Sequence, residues 1–246
     1  MNDQWNGADS GTIGLLLGSS SHDEQDVDAT ALRISRLTDG MVLRAGLPVP
    51  AELADPLLVP GLVFLLGKRI TGPGATAATA LAAVERVYAG VAITDGPGRD
   101  LHSARPNTAV TDAPSTRLVL GPVGRRAEDL DLSLEACLLE VDGLVFDSAT
   151  GVAAYGHPAE ALALVVNAVA EQAEILQPGW LVFTGGLTSA VRVTPETTVT
   201  ASFTHLGSIT LAGSREGRQA GAGSGPARGS TATHGTSTPV TLTDDH

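Results

Sequence analysis

GVAAYGHPAEALALVVNAVAEQAEILQPGWLVFTGGLTSAVRVTPETTVTASFTHLGSITL (residues 151–211) contains one helix signal followed by four strand signals. Pro158 after His157 is the start signal: proline lacks an N–H but is preset for the first helical turn. The apolar run behind it predicts a helix through Ala173. Pro178-Gly179 is a turn, and Trp180 to Thr184, Val191 to Val193, Thr198 to Phe203 and Ser208 to Leu211 read as short strands. Strands outnumber helices, and no regular alternation of strand and helix is visible, so a mixed α+β fold around a sheet or roll is expected.

Working outward, LLVPGLVFLLGKR (57–69) resembles a phosphate loop, because an apolar strand runs into Gly67-Lys68. A phosphate loop needs four residues between its glycines and a hydroxyl after the lysine. Here LVFLL separates Gly61 from Gly67, and Arg69 stands at the hydroxyl position, so the stretch is a strand from Leu62 to Leu66 and not a nucleotide site. Leu32, Ile34 and Leu37 have helical spacing within Asp28–Leu37. Met41 to Leu47 is a short strand. Thr71 to Gly74 is a turn, Thr76 to Tyr88 is an Ala-rich helix, and Tyr88 to Thr94 is a strand. Residues 95–116 are loop-rich. Leu118 to Leu120 and Ser133 to Val141 are strands, and Asp142-Gly143 is a hairpin turn leading into Leu144 to Asp147.

Composition narrows the function. The chain has 246 residues and a formal net charge of −12. That charge argues against a nucleic-acid backbone or an anionic membrane surface as partner. The single cysteine, Cys137, excludes a disulfide framework or a thiolate-rich metal site and reads as a small buried hydrophobe. No apolar stretch reaches the roughly 18 residues of a membrane span. The cytoplasm is the expected compartment. Residues 1–28 read as an N-terminal extension, 29–212 as the folded domain and 213–246 as a Gly/Ser/Thr-rich tail too polar to offset its ordering entropy.

The Gly-His-Pro helix start, the Pro-Gly turn, the Thr-Gly-Gly-Leu-Thr stretch and the closing Leu-Gly-Ser of 151–211 resemble the 2-keto-4-pentenoate hydratase and 4-oxalocrotonate decarboxylase family. GKRITGPGATAATALAAVERVYAGVAITD (67–95) and VTDAPSTRLVLG (110–121) are similar to two further segments of that family. The resemblance implies a fumarylacetoacetate hydrolase-like fold, a mixed β-sheet roll or barrel with flanking helices. It also implies chemistry through enols and enolates of 2-oxo acids and an oligomeric state, homo-oligomeric or shared with a related subunit.

The family's Mg²⁺ or Mn²⁺ ligands are two Glu residues around a proline and a Glu in the next strand. At the matching positions this chain has Val59, Gly61 and Ala92. None offers the oxygen a hard ion needs. No cofactor is therefore expected. Arg44 replaces a family Lys and can clamp an anion but cannot act as a base. Ala113 replaces a family Asn, and the stretch from Gly46 to Leu57 is short, which implies a more open pocket.

The remaining candidates each have a bland alternative. Asp95, His157 and Thr188 are the candidate catalytic residues. Asp95 reads equally as a turn residue, His157 as a helix cap and Thr188 as part of a plain hairpin. Arg44, Lys68, Ser115, Tyr155, Thr184 and Ser189 are the candidate substrate-binding residues, with solvated charges and turn hydroxyls as the alternatives. Glu85, Glu135 and Glu140 read as solvent-facing charge. Three functions follow. The first is a metal-independent lyase, isomerase or cyclase acting on a polarised oxo or enol small molecule, such as a natural-product intermediate. The second is a non-catalytic partner of an active hydratase or decarboxylase. The third is a Mg²⁺ enzyme with substitute ligands.

Overall fold

The computed structural model describes residues 11–18, 33–95, 110–112 and 116–214. The expected tail, apart from Gly213 and Ser214, and Ser115 lie outside them. The larger sheet holds β1 (Thr12–Gly18), β2 (Arg33–Thr38), β3 (Val42–Arg44), β4 (Pro56–Leu66), β5 (Val84–Asp95), β6 (Val110–Asp112), β7 (Arg117–Arg125) and β10 (Leu181–Gly185). The spatial order is β3-β7-β5-β4-β10-β1-β2-β6, and the short β11 (Val191–Arg192) pairs with β4. A second sheet has the order β13-β12-β8-β9, from β8 (Ala136–Val141), β9 (Leu144–Thr150), β12 (Thr198–Phe203) and β13 (Gly207–Ala212). The helices are α1 (Ala77–Leu81) and α2 (Pro158–Ala170).

The larger sheet is curled. β2 and β3 stand six places apart in it, which in a flat sheet is about 29 Å at ~4.8 Å per strand. Only a turn at Asp39–Met41 joins them, and four Cα steps reach at most about 15 Å. The sheet must therefore bend round on itself. Its inner face carries a small cluster of Leu16, Leu37, Met41, Val63, Ala92, Leu118 and Phe183. Its outer face carries the main core, in which Leu15, Leu58, Leu62, Phe64 and Val182 meet Leu162, Val165, Val166 and Val169 of α2 and Ile209 and Leu211 of β13. This is the mixed roll with flanking helices that the sequence implied.

Four expectations change. Residues 1–28 are not all outside the fold, because β1 sits between β10 and β2 near the middle of the sheet. The helical spacing of 28–37 gives way to β2, whose residues pair with β1 from Arg33 to Thr38. The helix expected over 76–88 stops at Leu81. β5 starts at Val84, because β-branched Val84 and Val87 pair with Leu66 and Phe64 of β4. The stretch Gly151–Ala170 does reach the length and mean hydropathy of a membrane span, at 20 residues and 1.2. Its α2 portion buries Leu162, Val165, Val166 and Val169 in the main core.

Local chemistry holds the pieces. Thr76 caps α1 by accepting the Thr79 N–H. Asn167 of α2 works as a clamp on the 72–75 turn, accepting the Ala75 N–H and donating to the Ala75 carbonyl, both at 2.8 Å. Asp142 and Gly143 both take positive φ, 51° and 78°, as the two-residue hairpin between β8 and β9 requires.

Glu135 corrects a further expectation: it is wholly buried, not solvent-facing. Its carboxylate accepts the His205 N–H at 2.8 Å and lies 2.7 Å from His205 Nδ1. It thus pins the β12–β13 turn to the start of β8. Removing Glu135 takes a charged acceptor from His205, and hydrogen bonds to a charged group are the stronger ones. Glu135→Ala is expected to lower stability by about 1–3 kcal/mol in urea unfolding, with Glu135→Gln losing less.

Cys137 is wholly buried as expected, and burial, with smaller contributions from Asp147 and Glu135, pushes its thiol up to about 12. A thiol reagent at pH 8 should label it only as fast as the chain unfolds. Stability should fall as pH rises from about 9 towards 12, because only the unfolded chain then releases the proton.

Candidate functional site

Alternation along the strands sorts the central residues between the two faces. Val59 pairs with Ala92, Gly61 with Gly90 and Val63 with Tyr88 across β4 and β5. Gly61 also pairs with Gly185, and Val63 with Phe183, across β4 and β10. Val63, Ala92 and Phe183 belong to the inner cluster, so Val59 and Gly61 share the inner face with them. The three positions at which the resemblance implies ion-binding carboxylates are thus neighbours on one surface inside the roll.

Those residues do not fit a divalent ion. Magnesium takes near-octahedral oxygen ligation, and Val59, Gly61 and Ala92 supply no side-chain oxygen. Among the described residues there is no group of three or more His, Cys, Asp or Glu placed to hold an ion. Asp95 does not substitute. It accepts the Asp55 N–H at 2.7 Å, and Asp55 is in turn paired with Arg192, so its carboxylate fastens the segment before β4.

The other candidates are dispersed. Thr184 follows Phe183 and so faces outward; it is fully buried in the main core with its hydroxyl donating to the Leu62 carbonyl at 3.4 Å. One step along a strand reverses the face, so Thr184 does not share the inner surface of Val59, Gly61 and Ala92. His157 caps α2, its Nδ1 accepting the Ala159 N–H at 3.0 Å. It opens on a hollow of about 460 Å³ shared with Asp131. The Ser133 hydroxyl, 2.6 Å away, is the main cause holding the Asp131 carboxyl below its ordinary value, and the charge of His157 is a minor one.

Thr188 is buried and donates to the Ser189 carbonyl at 3.3 Å. Ser189 is exposed, and its N–H donates to Asp147 at 2.8 Å. That bond is the main cause holding the Asp147 carboxyl low. Tyr155 is 40% exposed with φ at 52°, and partial burial raises its hydroxyl pKa. Arg44 is exposed at the end of β3.

Lys68 is exposed beyond the end of β4, in a cleft of about 640 Å³ that also presents Glu85, Arg86, Arg126 and Glu128. It stands at the opposite end of the β4–β5 hairpin from Asp95, which pairs with Pro56. The 11-residue strand separates them by about 33 Å at ~3.3 Å per residue. Apart from Thr188 with Ser189, no hydrogen bond joins any two of the candidates among the described residues.

Two hydroxyls that the sequence reading passed over lie beside the inner positions. Thr94 stands two residues beyond Ala92 on the same face and is 5% exposed. Arg117 pairs with Ile93, and continuing that register by one residue sets Thr116 opposite Thr94. Thr116 is 1% exposed, and its hydroxyl has no hydrogen-bond partner. The only available sequence signal was period: Ala92 and Thr94 alternate with Val91 and Ile93. A buried hydroxyl without a partner is destabilising. Thr116→Val, nearly equal in shape, is expected to leave stability unchanged or raise it by about 1 kcal/mol in urea unfolding.

No family model matches the chain. A 4-oxalocrotonate decarboxylase from a Pseudomonas species is 30% identical over 201 residues, 81% of this chain and 77% of that one. Two further decarboxylases of the same name, from Pseudomonas putida and Pseudomonas sp. strain CF600, are spanned over only 60% of their length. A 2-hydroxypent-2,4-dienoate hydratase of Pseudomonas putida is 31% identical over 133 residues, 53% of this chain and 60% of that one. Among solved structures, the 4-oxalocrotonate decarboxylase of Pseudomonas putida G7, complexed with magnesium and adipate, superposes with a TM-score of 0.71. It is 25% identical, covering 82% of this chain and 77% of that one. A fumarylacetoacetate hydrolase from Exiguobacterium antarcticum, 14% identical, has the same fold with a TM-score of 0.62, over 82% of this chain and 74% of that one.

Proposed function

The chain belongs to the 4-oxalocrotonate decarboxylase and 2-keto-4-pentenoate hydratase family, and on that premise we propose that it is a lyase- or isomerase-type enzyme for a conjugated oxo or enol acid that works without a metal ion. The observation that carries the reading is the inner row Val59, Gly61 and Ala92, oxygen-free side chains at three neighbouring positions of a retained family fold. The relatives' names supply the substrate class, since 4-oxalocrotonate and 2-hydroxypent-2,4-dienoate are both conjugated acids bearing an oxo or hydroxyl group.

Without a Lewis acid, charge developing on the substrate's oxo oxygen must be met by hydrogen-bond donors. The buried hydroxyls of Thr94 and Thr116 are two groups beside that row able to donate, and the Thr116 hydroxyl is uncommitted. One oriented donor of this kind is worth about 10²–10³ in rate. That is enough for tautomerisation, dehydration or ring closure of a substrate already polarised by conjugation, with orientation in the roll supplying the remainder. The short stretch from Gly46 to Leu57 suits a bulkier substrate, such as a polyketide-type intermediate undergoing cyclisation.

A second reading has its own observation. β9 is an edge strand whose Leu144, Val145 and Phe146 are 75%, 65% and 51% exposed. An apolar open edge favours pairing with another chain, as a non-catalytic subunit of an active decarboxylase or hydratase would need.

One experiment separates the two. Chelator-treated protein is offered 2-hydroxypent-2,4-dienoate and related enol acids, and loss of conjugation is followed by ultraviolet absorbance. The enzyme reading expects turnover unchanged by chelator or added Mg²⁺, with Thr116→Val slower by about 100-fold. Turnover that requires Mg²⁺ would overturn it. No turnover, together with stoichiometric co-purification with a ligand-bearing relative, would favour the subunit reading.

A further inference from the structure

We infer that the aromatic ring of Phe183 occupies the space that a ligand side chain at position 61 would enter, so that this chain has closed the family's ion position sterically as well as chemically. The inference rests on the reading that Val59, Gly61 and Ala92 mark that position. Gly90, Gly61 and Gly185 lie side by side across β5, β4 and β10, forming a row of residues without Cβ atoms. The Phe183 ring lies over the row. A Cβ built on Gly61 would stand 2.7 Å from Phe183 Cε2, one on Gly185 2.1 Å from Cε1, and one on Gly90 3.3 Å from Cδ2. The ring thus presents different edges to all three glycines. It is 3% exposed, held from the sides by its cross-strand neighbours Val63 and Leu16.

The strand backbones tighten the same spot. The Cβ built on Gly61 would also come within 2.6 Å of the Thr184 carbonyl oxygen and 2.7 Å of the Gly185 Cα, distances that real Cβ atoms essentially never show. Position 61 therefore has no room for any side chain while Phe183 and β10 stay where they are. Val59 and Ala92 share the inner face with this plug. Magnesium and manganese can be held by two carboxylates plus several waters, and on this inference the ring takes up room such waters would need.

The test compares two full-length variants, V59E/A92E and the same pair with Phe183→Ala. Mn²⁺ binding is followed by water-proton relaxation, and folding is checked by circular dichroism. The expected result is no saturable binding up to millimolar Mn²⁺ with Phe183 in place, and one ion per chain, at least tenfold tighter, once the ring is removed. Equal affinity in both variants, or no binding in either, would overturn the inference. If Phe183→Ala does not fold, Phe183→Leu in the same background gives the same comparison. Ion binding is measured apart from turnover, so failure here is distinct from failure of the proposed activity.

Discussion

The tether between β2 and β3 governs the architecture. Thr38 ends one strand and Val42 begins the other, yet their strands stand six places apart in the larger sheet. A connection of about 15 Å cannot bridge a flat sheet of about 29 Å. Curling is thus a condition of chain connectivity, and it divides the apolar residues into two unequal populations. The outer face is broad enough to receive α2 and the second sheet, so most of the buried hydrophobic residues gather there. The inner face is narrow and closes on a handful of side chains. Whatever chemistry the fold performs at the positions of Val59, Gly61 and Ala92 has to fit that narrow interior.

Much of the fold was legible because its signals are local. Pro158 at the first turn of α2, Asp142-Gly143 in the hairpin, and the strands from Leu181 to Ala212 declare themselves within a few residues. The failures are equally specific. β1 is an apolar run, TIGLLLG, whose periodicity cannot distinguish a strand buried on both faces from any other short hydrophobic stretch. Val84 and Val87 fit a helical stripe and a strand equally well, and pairing with β4 settles the choice in favour of the strand. The resemblance implies ion-ligand positions at Val59, Gly61 and Ala92, but it says nothing of what packs around them. That Phe183 points inward and Thr184 outward follows from a register fixed by the neighbouring strands.

The polar candidates show how a catalytic reading and a structural one compete for the same residue types. Asp95, His157 and Ser189 were attractive because their groups can hold protons or oxygens. Each also has a structural bond: Asp95 accepts the Asp55 N–H, His157 accepts the Ala159 N–H, and Ser189 donates its N–H to the Asp147 carboxylate. Glu135 erred in the opposite direction, reading as solvent-facing although its carboxylate is buried beneath His205. The group that stands out in the described structure is one with nothing to mark it in sequence, the Thr116 hydroxyl, because it alone among the threonine hydroxyls is buried without a partner.

The glycine row beneath Phe183 also bears on how such a chain can change over time. Placing a side chain at position 61 meets the ring and the β10 backbone; shrinking the ring first opens a cavity, at about 3–5 kcal/mol for a phenylalanine cut back to alanine. Total stabilities of about 5–15 kcal/mol leave little room for such an intermediate. Neither single step is neutral, and pairing them still leaves the Thr184 carbonyl and Gly185 Cα of β10 in the way of a side chain at 61. The packing therefore couples these positions: with the ring set over Gly90, Gly61 and Gly185, a change at any one of the four residues is felt by the others.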